Sequence, residues 1–531
     1  MYILGFHASF NGNNHDPSAC LMKSGNIISA IEEERLNRVK TSLCYFPVKS
    51  IKALLAKEKI TIKNINYIAT TGISFKNFHK IIENSFLHSF GYCPKILIFP
   101  HHLAHAAGSY YSSGFKKSLV ISIDGMGDGI STEIFQGNNE KIKSIEIIGK
   151  NKRQCSAGNI YAVFTEFLGF TAAEGEYKVM GMAAYGKKVY NLDKLIKIRN
   201  DPFSIKANKK IFVNWKTQSI FQPIANFKYL NKFFKARSPN DKFKQYHFDL
   251  AKSIQKKYEE ILLRLVKEYK NNNENICLSG GCALNSLANM KLFKEFKNVY
   301  IMPASSDRGL SVGAAFLANK HLKKENVPIS DMFLGLDYKK NIIQKFLTKN
   351  SIKYKECNPF LSAAEDLKNG KVIGWVRGRS EFGPRALGAR SILGLPSIKG
   401  MKNKINEKIK FREKYRPFAP VMLKDFAESN GILGNYDFMT STIFAPPSLK
   451  KILKETIHKD GTIRIQTVKK KNHPLFNLLS SLKKKKLPPV LINTSFNLAG
   501  EPIVETPSDA IRTFYSSGLD VLYIEKFRIT K

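Results

Sequence analysis

The sequence predicts an α/β protein in two parts, of which the first is two-lobed. Residues 2–31 and 118–135 each run from an apolar strand through a Gly/Asn/Asp turn into a second strand, a repeated hairpin theme. Asn275-Ile-Cys-Leu-Ser279-Gly280-Gly281 is a short strand entering a glycine turn with a helical stretch behind it. Lys371-Val-Ile-Gly-Trp-Val then opens a separate α/β unit. At about 150 residues per domain, 531 residues leave room for roughly two to four domains, each able to bury a core.

Tyr2-Ile-Leu-Gly-Phe reads as the first strand, Asn11-Gly-Asn-Asn-His15-Asp16 as its polar turn, Ser18-Ala-Cys-Leu-Met as the second strand and Asn26-Ile-Ile-Ser-Ala-Ile as the third. The theme returns in Ser118-Leu-Val-Ile-Ser-Ile, Asp124-Gly-Met-Gly-Asp128-Gly and Ser131-Thr-Glu-Ile-Phe. Duplicated hairpin-led halves predict the two-lobed architecture of actin-like ATPases. Phe248 to Tyr269 repeats apolar residues at three-to-four spacing and predicts a helix, and Cys282 to Phe293 predicts another behind the glycine turn. The polar, Lys-rich stretch from Asp337 to Pro359 reads as the interdomain connection, so the predicted domains are residues 1–346 and 347–531.

Lys and Arg number 85 against 43 Asp and Glu, a formal charge of +42. Such an excess would suit a nucleic-acid backbone, but its distribution argues otherwise. Both predicted domains are basic, 69 of the 85 are Lys, and the tight runs Lys469–Lys471 and Lys483–Lys486 read as solvated loop faces. Arg is the informative cation. Six of the 16 (Arg377, Arg379, Arg385, Arg390, Arg412, Arg416) fall within 40 residues, and Arg is the residue for planar, bidentate recognition of phosphate or carboxylate. No apolar run approaches the ~18 residues of a membrane helix. The start lacks the basic region and long apolar core of a secretory signal, which predicts a cytoplasmic protein. Seven scattered cysteines, odd in number and never spaced C-x-x-C, argue against a disulfide framework and a zinc ribbon.

His101-His102-Leu-Ala-His105 follows a strand and Pro100 and precedes small residues that suit a helix. At i, i+4 His101 and His105 share a helical face, the spacing that brings two imidazoles to one metal ion; a helix-start cluster bonded to backbone is the alternative. Asp124 and Asp307 each follow an apolar strand at a turn position, Asp307 ahead of the small-residue helix Ser311-Val-Gly-Ala-Ala-Phe. Two imidazoles with one or two carboxylates favour iron(II) or a similar divalent ion over structural zinc. Gly125 and Gly127 would let backbone amides approach a phosphate while Asp128 held its cation, although Asp-Gly also makes ordinary hairpins. Gly280 and Gly281, opening a helix by its positive end, with Asn285 close behind, offer a matching anion site, and together these predict a nucleotide site. In the second domain the Arg-rich segment Arg377 to Ser391, followed by Lys408 to Pro417, predicts a cage for a small doubly charged phosphate. Leu491-Ile-Asn493-Thr-Ser495-Phe-Asn497 offers neutral donors at a strand end.

His101-x-x-x-His105, Ile123-Asp-Gly-x-Gly-Asp128, Glu174-Gly-Glu-Tyr-Lys178-Val-Met-Gly181, Glu381-Phe-Gly-Pro-Arg385-Ala-Leu-Gly-x-Arg390-Ser391, Lys410-Phe-Arg412 to Arg416-Pro-Phe-Ala-Pro420, and Asn493-Thr-Ser-Phe-Asn497 with Gly500-Glu-Pro-Ile-Val504 follow one another along the chain. This set resembles the O-carbamoyltransferases of nodulation-factor, cephamycin and tobramycin biosynthesis. The resemblance implies an N-terminal domain similar to the actin-like tRNA threonylcarbamoyl transferases, and a C-terminal α/β domain similar to the adenylate-forming partner of that modification. It implies two steps. Carbamoyl phosphate is cleaved and its carbamate condensed with ATP to carbamoyl-AMP and pyrophosphate in the C-terminal domain; the carbamoyl group then passes to a hydroxyl in the N-terminal one.

Carried over by position, His101, His105, Asp124 and Asp307 are the implied metal ligands, for iron(II). Arg385, Lys410, Arg416, Arg464, Asn493 and Ser495 are the implied carbamoyl-phosphate and adenylate cage, with Arg385 and Arg416 catalytic. His15, beside Asp16, is the implied residue facing the acceptor, where an imidazole near neutrality takes the hydroxyl's proton; a turn that happens to include histidine is the alternative. Lys40 and Lys178 are weaker phosphate candidates. Ala184 stands where the family pattern has proline, and residues 187–245 match little. The implied partners are carbamoyl phosphate, ATP with magnesium, and a small-molecule or glycan acceptor, with no membrane span; a homodimer is compatible. The rival classes are a tRNA-modifying transferase, which the charge would suit, and an actin-like-fold sugar kinase, which would yield ADP.

Overall fold

The computed structural model describes residues 1–10, 15–200, 202–213 and 224–531. The chain forms two compact units, residues 1–33 with 41–330 and residues 34–40 with 331–531. The tip of the first predicted hairpin turn, residues 11–14, lies outside the described residues, as do residues 201 and 214–223 of the stretch that matches little.

In the first unit β1 (Tyr2–His7), β2 (Ser18–Lys23) and β3 (Asn26–Glu32) form an antiparallel meander. Strands β4 (Tyr67–Thr71) and β5 (Lys95–Phe99) extend it in parallel on the other side of β1, giving the order β3-β2-β1-β4-β5. The second sheet repeats the plan. Strands β6 (Lys117–Gly127), β7 (Ile130–Asn138) and β8 (Lys141–Ile148) are its meander; β9 (Ile196–Arg199) and β10 (Ser204–Ala207) pair apart from it. Strands β11 (Asn275–Ser279) and β12 (Asn298–Ile301) then add in parallel beside β6, giving β12-β11-β6-β7-β8. The order and strand senses are the same in both sheets, so the predicted duplication is present and the first unit is actin-like.

The helix His101–Ser113 packs on β6 and β11, the helix Leu310–His321 on β1 and β4, and the two helices pack on each other. Small residues allow this. A Cβ on Gly5 would stand 2.0 Å from the Ser311 carbonyl oxygen, and one on Gly313 would stand 1.9 Å from that of Ala104. The small-residue run at 311–315 therefore sets how closely the ends of the two helices approach, and those ends carry the histidines and Asp307. The predicted helix over 248–269 is present as Gln245–Tyr269, burying Leu250, Ile254, Ile261, Leu262 and Leu265 along one face. Behind the glycine turn a 3-10 turn, Gly281–Leu284, replaces the start of the predicted helix, and the α-helix spans only Ser286–Leu292. Asn285 breaks the two: its backbone is non-helical and its side chain caps the second piece by accepting from the Ala288 N–H.

In the second unit the strands are β13 (Lys355–Glu356), β14 (Ile373–Val376), β15 (Arg390–Gly394), β16 (Ala419–Leu423), β17 (Thr442–Phe444), β18 (Thr462–Arg464), β19 (Gln466–Val468), β20 (Val490–Ser495), β21 (Val521–Ile524) and β22 (Phe527–Ile529). Eight make one mixed sheet, β13-β22-β21-β14-β15-β20-β16-β19, and β17 pairs with β18. Side chains of β14 alternate between two cores: Ile373 and Trp375 join Leu478 and Leu479 on one face, Val376 joins Ile405, Phe418 and Phe514 on the other. The stretch read as a connection holds a helix, Lys340–Lys349, whose Ile343 and Leu347 are buried in that second core. Each such burial is worth about 1.5–3 kcal/mol, enough to draw the helix into the second unit, whose long segment runs from Asp331 to Lys531. Among the described residues no helix is long and apolar enough to cross a membrane.

Candidate functional site

The helix His101–Ser113 starts after the extended Pro100. Asp128 caps it: one carboxylate oxygen accepts the His101 N–H at 2.9 Å, and the other accepts the Ser74 hydroxyl at 2.7 Å. Those bonds occupy the carboxylate that the sequence assigned to a nucleotide's cation. Gly127 serves the same helix, because a Cβ there would stand 2.1 Å from the His101 ring. With the helix so placed, His101 and His105 face Asp124, from the irregular end of β6, and Asp307, from the turn Asp307–Gly309. One ligand atom from each of the four lies within 4.8 Å of those of the other three. His105 Nε2 is 3.2 Å from Asp124 Oδ2 and 3.6 Å from Asp307 Oδ1; His101 Nε2 is 3.5 Å and 3.8 Å from the same two atoms. His102 points elsewhere, bonded to the Ser122 hydroxyl and the Ile130 carbonyl.

The donor set fits a divalent cation. His101 Nε2, His105 Nε2 and Asp124 Oδ2 are buried and make no hydrogen bond among the described residues, although buried polar atoms are normally bonded. Two imidazoles and two carboxylates converge on one point, a set suited to iron(II) or a similar ion. The two carboxylates are held ionised by positive charge on the neighbouring imidazoles. Burial disfavours a charged His105, yet Asp124 and Asp307 outweigh it and lift the imidazole to about 9. Burial likewise opposes a charged Asp307, but His15, His105 and His101 bring it down to about 2.

His15 and Asp16 lie beside this cluster. Asp16 takes a φ of 61°, tolerable for a short polar residue, and its carboxylate accepts from Arg308 Nη2 at 2.5 Å, Arg308 Nε at 3.2 Å and the Ser306 hydroxyl at 2.8 Å. His15 Nδ1 stands 3.3 Å from Asp16 Oδ2. Burial works against a charged His15, but Asp16 and Asp307 raise it to about 10. In this arrangement the two carboxylates favour the protonated imidazole.

Of the nucleotide candidates, Gly280 has a φ of 87° and sits where a Cβ would meet the Ile123 carbonyl oxygen at 2.2 Å; one on Gly281 would be 3.0 Å from Asp124 Oδ1. This glycine turn thus lies against the strand end that carries Asp124. Gly125 donates its N–H to Asp124 Oδ1 at 2.6 Å, and a Cβ on it would meet only Asn159 Oδ1, at 3.5 Å. Asn285 is spent on capping and on a two-way amide pair with Gln255. Lys178 Nζ stands 5.1 Å over the Phe170 ring.

In the second unit burial pulls the Arg464 guanidinium well below its usual range, and the charges that add to this effect are Arg385, Arg412 and Arg416, all positive. Its Nε is buried without a hydrogen-bond partner among the described residues. Arg416 carries an ion pair to Glu413 at 3.4 Å. Lys410 is buried, and its Nζ donates to the Ser495 carbonyl at 2.9 Å, the Asn497 carbonyl at 2.9 Å and the Ser495 hydroxyl at 3.3 Å. Burial, then Arg412, Arg416 and Lys40, depress it well below the ordinary lysine range. It holds the Ser495–Asn497 turn rather than offering free donors. Asn493 also departs from expectation, since its NH2 donates to the Ala386 carbonyl and to Gln466, leaving Oδ1 without a partner among the described residues.

Comparison with known proteins adds the chemistry. Residues 89–316 match the family model described as Carbamoyltransferase N-terminus, and residues 364–531 match Carbamoyltransferase C-terminus. The Nodulation protein NolNO of Sinorhizobium fredii is 31% identical over 97% of this chain and 79% of its own length. Uncharacterized protein sll1178 of Synechocystis is 32% identical over 100% of this chain and 97% of its own, and Uncharacterized protein MJ1051 of Methanocaldococcus jannaschii is 32% identical over 98% of each. The chain belongs to the carbamoyltransferase family. It is a transferase that moves a carbamoyl group. The N-terminal match spans all four residues of the buried cluster, and the C-terminal match spans every residue of the cage. His15 and Asp16 precede the matched spans.

Three features of this carbamoyltransferase were not legible in its sequence. Arg308, in contact with both Asp16 oxygens and with its Nη1 3.8 Å from Glu32, comes from a distant turn. His7, whose Nε2 is 3.6 Å from Asp307 Oδ2, reads as one strand residue among others. Residues 34–40 contribute Arg35 and Arg38 to the second unit, where they donate to the carbonyls of Gly383, Ile503 and Pro502. Only the position of Arg308 directly after Asp307, just ahead of a helix, hinted at the first.

Proposed function

We propose that this carbamoyltransferase is ATP-dependent and acts in two steps, with carbamoyl-AMP as the intermediate. Carbamoyl phosphate binds in the second unit and is hydrolysed to carbamate and phosphate. The carbamate oxygen attacks the α-phosphorus of ATP, the α–β bond breaks, and pyrophosphate leaves. In the first unit an acceptor hydroxyl attacks the carbamoyl carbon, AMP leaves, and the hydroxyl proton passes to a base. The observation that supports this reading is the concentration of positive charge around the half-buried Arg464, on which Arg385, Arg412 and Arg416 all act and which suits a phosphate anion. A cage of this kind is suited to stabilising charge on a transferring phosphoryl group.

His101, His105, Asp124 and Asp307 would hold a divalent cation, iron(II) in our reading, which supplies a fixed positive charge and Lewis acidity for a phosphate oxygen of the adenylate. The chain's own residues do the rest. Gly280 and Gly281 keep side chains away from the strand end that carries Asp124, leaving backbone N–H groups for the nucleotide. Asp16, fixed by Arg308, orients His15. As an imidazolium His15 attracts the anionic adenylate; neutralisation of Asp307 by a cation removes part of what holds its proton and returns the ring toward the range where it can accept one. The acceptor is a small molecule or glycan hydroxyl. The test is to mix the protein with ATP and carbamoyl phosphate, without acceptor. Pyrophosphate and carbamoyl-AMP are expected; ADP in their place would support a kinase.

A further inference from the structure

His7 ends β1, 2% exposed, and neither ring nitrogen makes a hydrogen bond among the described residues. Its Nε2 lies 3.6 Å from Asp307 Oδ2, while the other oxygen of that carboxylate faces His105 and His101 at 3.6 Å and 3.8 Å. Asp307 thus stands between two imidazole surfaces, the predicted pair on one side and a single unpredicted ring on the other. The four-residue cluster does not include His7. A buried imidazole with two unused nitrogens is unusual, and the end of a buried strand would take an apolar residue without that defect. We propose that His7 is a positioning residue of the metal centre: its Nε2 holds Asp307 Oδ2, fixing the rotation of the carboxylate so that Oδ1 is presented to the ion. Closing 3.6 Å to a hydrogen bond of about 2.9 Å needs only a small side-chain adjustment. Carboxylates that bind metals are commonly held by a hydrogen bond on the oxygen that does not face the ion, and such partners are worth about 10- to 100-fold in metal affinity.

The proposal rests on the reading that His101, His105, Asp124 and Asp307 hold a divalent ion, and the experiment separates the two. Full-length protein freed of metal is titrated with cobalt(II), following visible absorption, with affinity measured against a competing chelator. Wild type, His7→Phe, His7→Asn and His7→Gln are compared. The glutamine amide nitrogen falls near the position of Nε2, whereas asparagine is one bond too short to reach Asp307. The expected result is a 10- to 100-fold weaker Kd in His7→Phe and His7→Asn, with an absorption band of unchanged shape, and affinity within about threefold of wild type in His7→Gln. Should His7→Phe fail to fold, the Gln and Asn pair carries the same comparison. Equal affinity in wild type and His7→Asn overturns the role of His7 alone. A changed band shape with no rescue by Gln makes His7 a direct ligand and also overturns it. A wild type that binds no cobalt overturns the metal reading, and the role of His7 with it.

Discussion

Replacing Arg464 by Met should move stability and activity in opposite directions. The guanidinium is partly enclosed, and the charges that act on it, Arg385, Arg412 and Arg416, share its sign. Exchanging buried ionic groups for apolar side chains of similar volume is often neutral or stabilising by about 1–4 kcal/mol, and for this half-buried side chain the lower end, about 1–2 kcal/mol, is expected. For a unit of this size that is a rise in Tm of about 2–8 °C. A guanidinium–phosphate contact, in contrast, is worth about 2–3 kcal/mol, so carbamoyl-phosphate-dependent pyrophosphate release should fall roughly 30- to 150-fold. The assays are a thermal melt without ligand and a coupled pyrophosphate assay. Added phosphate should raise the wild-type Tm more than that of the variant. A lower Tm with unchanged turnover would mean that Arg464 is a structural residue, and the anion cage would have to be abandoned.

Three further outcomes follow from the same geometry. Asp124→Asn should lose bound metal and carbamoyl transfer while keeping pyrophosphate release within about threefold, since that step belongs to the other unit; equal loss of both activities would contradict the division of labour. Arg35→Met, which strips a donor from the Gly383 carbonyl and a positive charge from near the buried Glu505, should weaken urea resistance of the full chain by about 2–4 kcal/mol; a change under about 0.5 kcal/mol would show that the 34–40 segment adds nothing to the fold. Asp366 is bonded to Arg528 at 2.8 Å and to Tyr523 at 2.6 Å, and although burial opposes its charge these partners and Lys371 bring it down to about 2. Its folded value lies below the unfolded one, so its stabilisation, about 2 kcal/mol, is full above about pH 4 and is lost as pH falls toward 2. Asp366→Asn should flatten that acid limb of a stability–pH curve, and an unaltered limb would refute the assignment.

What the sequence reveals here is what is local. His101 and His105 announce a shared helical face through their spacing, and Asp124 and Asp307 through their place after apolar strands; all four meet. The repeated hairpins give the duplicated sheets because strand alternation and turn residues are local signals too. Polar residues that could equally serve the fold are where spacing says least. Asp128 and Asn285 cap helices and Lys410 and Asn493 donate to backbone carbonyls, so each side chain also has a role in the fold. The helix at 340–349 hides in a Lys-rich stretch because two buried residues per turn pair suffice to anchor it. His7, Arg308 and the loyalty of residues 34–40 to the second unit depend on contacts hundreds of positions apart, which no spacing encodes.

The most direct test of the account is to follow carbon-labelled carbamoyl phosphate with ATP through wild type, Asp124→Asn and Arg416→Ala. The account predicts that Asp124→Asn accumulates labelled carbamoyl-AMP together with pyrophosphate, that Arg416→Ala forms neither, and that wild type passes the label to an acceptor hydroxyl with release of AMP. Label reaching an acceptor without ATP consumption, or with ADP as the nucleotide product, would contradict it.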